Sequence, residues 1–275
     1  MQTSAPTPQL GDFRLGAVLG EGGSGIVYDA TWGPRRVALK VLHGHLVATE
    51  RERSQFFAEA QRLQALAHPH IVKVLAFGCL PDGRPYLAME RLEGETLASR
   101  LARGPLTVTD ALALFGELCA AVEALHAHGL VHRDLKPENV FVCERPNSGP
   151  NVSTVPGATA VLLDFGIAKE LAAPASTTTQ DGAVRGTPAY MAPERFFGQP
   201  AGVATDVYEL AVTLYAMLAG RLPWDDLADP EARLQPRPLV DLASVPAELD
   251  VEIRRAMSTR AQNRPGSAAA LYAGV

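Results

Sequence analysis

His132-Arg133-Asp134-Leu135-Lys136-Pro137-Glu138-Asn139 is the stretch on which the reading of this 275-residue chain turns. Before it, Val108, Leu112, Phe115, Leu118, Val122 and Leu125 recur three or four apart, which predicts a long amphipathic helix. A loop after such a helix is ordinarily just polar. This one sets an acid, a cation and an amide at short fixed intervals. Asp134 can accept a hydroxyl proton, and Lys136 can neutralise a transferring phosphoryl group. Asn139, together with Asp164 of Asp164-Phe165-Gly166, offers oxygen ligands to a hard divalent ion, which favours Mg²⁺. A charged loop that meets all these conditions by chance is very improbable.

Upstream the period changes. Phe13–Leu19, Ile26–Trp32 and Arg36–Leu42 read as strands, the last two joined by the turn Gly33-Pro34. Between the first two lies Gly20-Glu21-Gly22-Gly23-Ser24-Gly25, a run that lets backbone approach a phosphate with no Cβ in the way. Alone this pattern is weak and equally fits a hairpin turn. It joins two strands, whereas a dinucleotide-binding fold would put its glycines between a strand and a helix. In Val37-Ala38-Leu39-Lys40, alternation puts Ala38 and Lys40 on one side of the strand and Val37 and Leu39 on the other. Phe56, Ala60, Leu63 and Ala67 predict a helix ending before His68-Pro69, and Glu59 on it is available to hold Lys40. Ile71–Phe77 and Tyr86–Glu90 read as two more strands, and helices are predicted at Thr205–Ala219 and Pro246–Met257. Strands first and helices after them read as α+β with two lobes.

Composition sets the outer limits. The 25 basic residues are 21 Arg and only four Lys, at 40, 73, 136 and 169, against 30 acidic residues and a net charge of −5. That balance argues against nucleic-acid binding, which needs a basic face. It also gives each surviving Lys a chemical question, because Lys and Arg are not equivalent at a phosphate. Cys79, Cys119 and Cys143 cannot all pair and have no metal-ligand spacing, so a reduced, cytoplasmic setting is expected. The longest nearly apolar run, Leu210 to Ala219, is ten residues, too short for a membrane span. No residue speaks for an oligomeric state.

With these residues in view, the chain resembles the eukaryotic-like (Hanks-type) Ser/Thr protein kinases over about residues 13 to 270, and its Ala- and Arg-rich composition suggests a bacterial source. The resemblance rests on the Gly-rich run, Val37-Ala38-Leu39-Lys40, His132-Arg133-Asp134, Asp164-Phe165-Gly166 and Ala192-Pro193-Glu194. It implies a bilobal kinase fold, a small antiparallel-sheet lobe with one helix and a larger, mainly helical lobe. It also implies transfer of the ATP γ-phosphoryl group to Ser/Thr hydroxyls of protein substrates. By the same resemblance Gly20, Gly22 and Gly25 cover the ATP phosphates. Lys40 holds the α/β-phosphates and pairs with Glu59, Asp134 orients and deprotonates the acceptor, and Asn139 and Asp164 bind Mg²⁺, or Mn²⁺ in its place. Met89 matches the position at the back of the adenine pocket, and Glu90, Arg91 and Leu92 the hinge. Leu19, Val27, Ala38 and Phe141 complete the base-contacting set. Glu194 and Arg264 match a structural ion pair, and Asp206 a buttress for the catalytic loop. Ser/Thr specificity rests on Lys136 and on Gly186-Thr187-Pro188.

The expected organisation is a flexible tail at 1–11 and one kinase domain at 12–275. Its lobes are 12–92 and 93–275, with an insertion at 143–160 and an activation segment at 164–194. Arg133 accompanies control by activation-loop phosphorylation in this family, with Ser176, Thr177, Thr178 and Thr179 as candidate sites and Thr187 nearby. Asp181 is expected to supply part of a second phosphate's charge; unchanged activity of unphosphorylated Asp181→Ala would refute this. Two other readings stay open. A pseudokinase would lack the Lys, the catalytic Asp or the metal Asp, and none is lost. A small-molecule phosphotransferase would not need the activation segment and Pro193-Glu194.

Overall fold

The computed structural model describes residues 9–144, 157–164, 189–225, 235–242 and 244–275. The chain divides into two compact units. One takes the residues up to Ala67 together with Val72–Leu92; the other takes His68–Ile71 and, among the described residues, those from Glu93 onward.

The first unit is built on a six-stranded antiparallel sheet in the order β1-β2-β3-β4-β6-β5. Its strands are β1 (Gln9–Leu10), β2 (Phe13–Gly22), β3 (Gly25–Trp32), β4 (Arg35–Leu42), β5 (Val74–Cys79) and β6 (Pro85–Glu90). β2 and β3 run further than the sequence alone predicts. Gly22 pairs with Gly25, so the glycine run is the tip of a hairpin whose turn is Gly23-Ser24. β4 carries the predicted alternation, with Val37, Leu39 and Val41 buried in one cluster with Phe13, Ala30, Leu80 and Ala88. Helix α1 (Glu50–Ala65) starts at a capping box. Glu52 N–H donates to Thr49 Oγ1 at 3.2 Å, and Thr49 N–H to Glu52 Oε2 at 2.8 Å. Its buried face is Phe56, Glu59, Ala60 and Leu63.

The strand expected from Ile71 begins only at Val74. Ile71 N–H bonds back to the His68 carbonyl, and Ile71 makes an isolated parallel bridge to Leu162, which places His68–Ile71 in the second unit.

The second unit holds helix α2 (Leu97–Leu101), the long helix α3 (Val108–Ala127) and a small sheet. That sheet is β7 (Gly94–Thr96), β8 (Val140–Glu144) and β9 (Ala158–Leu162), in that order. The β8–β9 ladder continues to Glu144↔Ala158, so both ends of the stretch expected as an insertion are strand; 145–156 lies outside the described residues. After β9 come α4 (Pro193–Phe196), α5 (Val203–Ala219), α6 (Ala247–Ala256) and α7 (Ala268–Gly274). Helix α5 is buried at every position from Thr205 to Leu218, as a central helix packed on all sides must be. It ends where Gly220 turns left-handed at φ 68°, a conformation a side chain would resist. No helix of the described residues is long and apolar enough to cross a membrane.

Candidate active site

The stretch at 132–139 is held from behind by helix α5. Asp206, fully buried at 0% exposure, accepts from His132 N–H at 2.8 Å and Arg133 N–H at 2.9 Å, and meets His126 Nε2 at 2.7 Å. One turn later, buried Glu209 accepts from Leu135 N–H at 2.8 Å. A buried carboxylate is tolerable only when it is fully hydrogen-bonded. The loop therefore has to return its N–H groups to α5, and Arg133 takes a left-handed φ of 68° as it does so.

His132 is itself buried at 0% exposure. Its Nδ1 accepts from Asp134 N–H at 3.3 Å, so Nε2 carries the proton and donates to the Leu163 carbonyl at 2.8 Å. Burial pushes its pKa below the ordinary value, while Asp206 and the Leu163 carbonyl pull weakly the other way. The ring is a neutral strut between the loop and the residue before Asp164.

On this support three polar side chains converge. Asn139 Nδ2 donates to Asp134 Oδ2 at 2.9 Å and to the Asp134 carbonyl at 2.8 Å, and Lys136 Nζ lies 3.3 Å from the same Oδ2. The amide nitrogen of Asn139 is thus committed to Asp134, which turns its oxygen the other way. Leu163 N–H donates to the Asn139 carbonyl at 2.8 Å, tying the start of the Asp164 segment to the loop. Asp164 follows at φ 48°, an uncommon conformation for a residue with a side chain.

In the first unit, Lys40 on β4 lies between Val27 of β3 and Leu87 of β6 and is only 5% exposed; Glu59 on α1 is 8% exposed. Ala38 pairs with Met89, Val27 with Gly20, and Val74 with Met89, so these residues share one stretch of sheet. Leu19 is 42% exposed. A Cβ on Gly20 or Gly22 would meet nothing within 4 Å, whereas at Gly25, with φ 152°, it would lie 2.2 Å from the Val41 carbonyl. Packing forces only the last of the three to be glycine. At the end of β6, Glu90 N–H donates to the Lys73 carbonyl at 3.0 Å, Lys73 N–H donates to Glu90 Oε1 at 2.8 Å, and Arg91 donates to the Leu92 carbonyl. Phe141 sits on β8 between Thr96 and Val161.

Glu194 and Arg264 form the expected ion pair, bidentate at 2.9 and 2.8 Å, with Thr205 Oγ1 also donating to Glu194. Burial raises the Glu194 pKa, but the Arg264 bonds together with those from its own N–H and Thr205 hold the carboxyl below its usual range. Arg264 also stacks over Tyr208, 4.9 Å from the ring centre. Phe165, Gly166, Ser176, Thr177, Thr178, Thr179, Asp181 and Thr187 lie outside the described residues.

Sequence reasoning missed Glu209, His126 and the contact of His43 with the glycine turn. For Glu209 a signal existed: two carboxylates three apart, Asp206 and Glu209, in an otherwise apolar helix.

Comparison with known proteins agrees with this geometry. The protein kinase domain model matches residues 13–263. The Ser/Thr protein kinase Pkn1 of Myxococcus xanthus is 38% identical over 270 residues, covering 95% of this chain and 37% of Pkn1. The kinase domain of Mycobacterium tuberculosis PknI superposes with a TM-score of 0.76 at 27% identity, covering 99% of this chain and 100% of that one. Rad53 1–466 in complex with AMP-PNP shares the fold at a TM-score of 0.72 and 24% identity, over 95% of this chain and 64% of that one. The chain belongs to the protein kinase family, with the bilobal kinase fold, and the curated relatives it resembles are bacterial Ser/Thr kinases of the Hanks type. It spans only between a quarter and a half of their length.

Proposed function

We propose that this protein is an active Ser/Thr protein kinase that transfers the γ-phosphoryl group of ATP to hydroxyls of protein substrates, itself included, in the cytoplasm. The observation that carries the reading is the convergence of Asn139 Nδ2 and Lys136 Nζ on Asp134 Oδ2, on a loop anchored to buried carboxylates. Asp134 accepts the proton of the acceptor hydroxyl as the oxygen attacks the γ-phosphorus. Lys136, beside it, offsets the charge on the transferring group. The work is mostly positioning and charge stabilisation, so a rigid loop is what the chemistry requires.

Asn139 and Asp164 fit a divalent cation. One presents an amide oxygen turned away from Asp134 and the other a carboxylate, and a cation shared with nucleotide phosphates needs only one or two such protein ligands. Mg²⁺, or Mn²⁺ in its place, supplies neutralisation of phosphate charge when bound. Lys40 is assigned to the α/β-phosphates with Glu59 as its partner, and Gly20, Gly22 and Gly25 to the phosphate cover. Leu19, Val27, Ala38, Met89, Glu90, Leu92 and Phe141 are assigned to the base. Arg133 is assigned to grip a phosphate on Ser176, Thr177, Thr178 or Thr179.

The test is incubation with γ-labelled ATP and Mg²⁺, beside Lys40→Met and Asp164→Ala, followed by mapping of phosphosites. Label from the wild type alone, on Ser or Thr, is expected. No label on the protein or on a generic basic substrate would refute the reading.

A further inference from the structure

The glycine turn is gripped by a residue that the catalytic assignments leave unused. His43 directly follows β4. Its N–H donates to the Ser24 carbonyl at 3.3 Å, and its ring Nε2 lies 3.1 Å from the Gly22 carbonyl. A carbonyl can only accept, so the ring presents Nε2–H to it. His45 stacks on the same ring, with centroids 5.7 Å apart and planes 13° from parallel. Two carbonyls of the turn, those of Gly22 and Ser24 on either side of Gly23, are therefore held by one half-buried residue.

This matters because of what the turn is made of. Glycine has the widest backbone freedom of any residue, and Gly20, Gly22 and Gly23 have nothing within 4 Å of a would-be Cβ to confine them. Ordering such a segment around a ligand costs backbone entropy at the moment of binding. In a planar trans peptide the C=O and the following N–H point in opposite directions. Holding the Gly22 oxygen thus fixes the Gly23 N–H, a donor at the tip of the phosphate-covering run.

We propose that His43 is a positioning residue that pre-orders the glycine turn for nucleotide phosphates through its Nε2–H bond to Gly22. The inference rests on the assignment of that turn to ATP phosphates. His43→Phe keeps a ring for His45 to stack on and removes the donor. His43→Gln loses the ring but places an amide N–H near the former Nε2. The experiment is calorimetric binding of ADP and of adenosine, each with Mg²⁺, to the 275-residue chain and both variants. His43→Phe is expected to weaken ADP on the order of fivefold, the worth of one hydrogen bond, and to leave adenosine unchanged. His43→Gln is expected to restore ADP affinity. If His43→Phe binds ADP as well as the wild type or better, weakens adenosine equally, or is not rescued by Gln, the inference is wrong while the kinase reading stands. A wild-type chain that binds neither ligand overturns both.

Discussion

The catalytic loop and the glycine turn are both assigned to phosphate chemistry, yet they are held by opposite means. The loop at 132–139 gives three main-chain N–H groups to two buried carboxylates some seventy residues away, Asp206 and Glu209 on one face of α5. The turn at 20–25 is open to solvent over Gly20–Gly23, one of its glycines is demanded by packing, and its extra ties come from one residue after the adjacent strand. Buried polar contacts are obligatory, because an orphaned group costs its full desolvation; exposed ones can be broken and remade at little cost. The difference suits their tasks. A group that must meet a reacting hydroxyl needs one geometry, whereas a cover must admit nucleotide and release product, which draws on segments of low local stability.

Breaking the loop's anchorage should have the largest effect. Asp206→Ala leaves His132 N–H, Arg133 N–H and His126 facing an apolar hole, and should cost about 3–5 kcal/mol, read by denaturant unfolding. Glu209→Ala strands the Leu135 N–H and should cost about 1–3 kcal/mol, with Glu209→Gln largely restoring it because the amide oxygen still accepts. The turn should divide along a different line. Gly25→Ala meets main-chain atoms of β4 and should lose about 2–4 kcal/mol. Gly20→Ala and Gly22→Ala should stay within about 0.5 kcal/mol of the wild type while weakening ATP. If Gly22→Ala unfolds as readily as Gly25→Ala, the distinction between a structural and a ligand-facing glycine fails.

A smaller effect sharpens the contrast through pH. His132 is neutral in the folded state with a depressed pKa, so its contribution to stability is complete above the ordinary His value of about 6.5. As pH falls below that value the unfolded chain takes up the proton and the folded loop does not, so stability declines. The thermal midpoint of the wild type should therefore drop between about pH 7 and 5 more steeply than that of His132→Phe. Parallel profiles would show that the buried ring does not couple to the loop's stability.

Much of this was legible before any coordinates. The period of α3 and the alternation of β4 are strong because each buries one continuous face, and the octapeptide at 132–139 names its own chemistry. The sheet of β7, β8 and β9 was not legible, since strands of three to five residues carry too little periodicity. Nor were the partners of His126, Glu209 and His43, although the spacing of Asp206 and Glu209 marks Glu209 itself as unusual in an apolar helix. Each acts through a partner distant in sequence, and nothing in the local spacing says that a carboxylate in an apolar helix faces a loop N–H, or that a histidine after a strand reaches back to a glycine carbonyl. Burial and topology make those partnerships, and they appear only when the chain is folded.

The most direct test of the division of labour is to measure ATP affinity and turnover together in Asp134→Asn and Gly22→Ala. Asp134→Asn should bind ATP as the wild type does while turnover falls by roughly 10²- to 10⁴-fold, the usual worth of a positioned base. Gly22→Ala should weaken ATP and keep turnover at saturating nucleotide. An Asp134→Asn protein that phosphorylates as fast as the wild type would contradict the account.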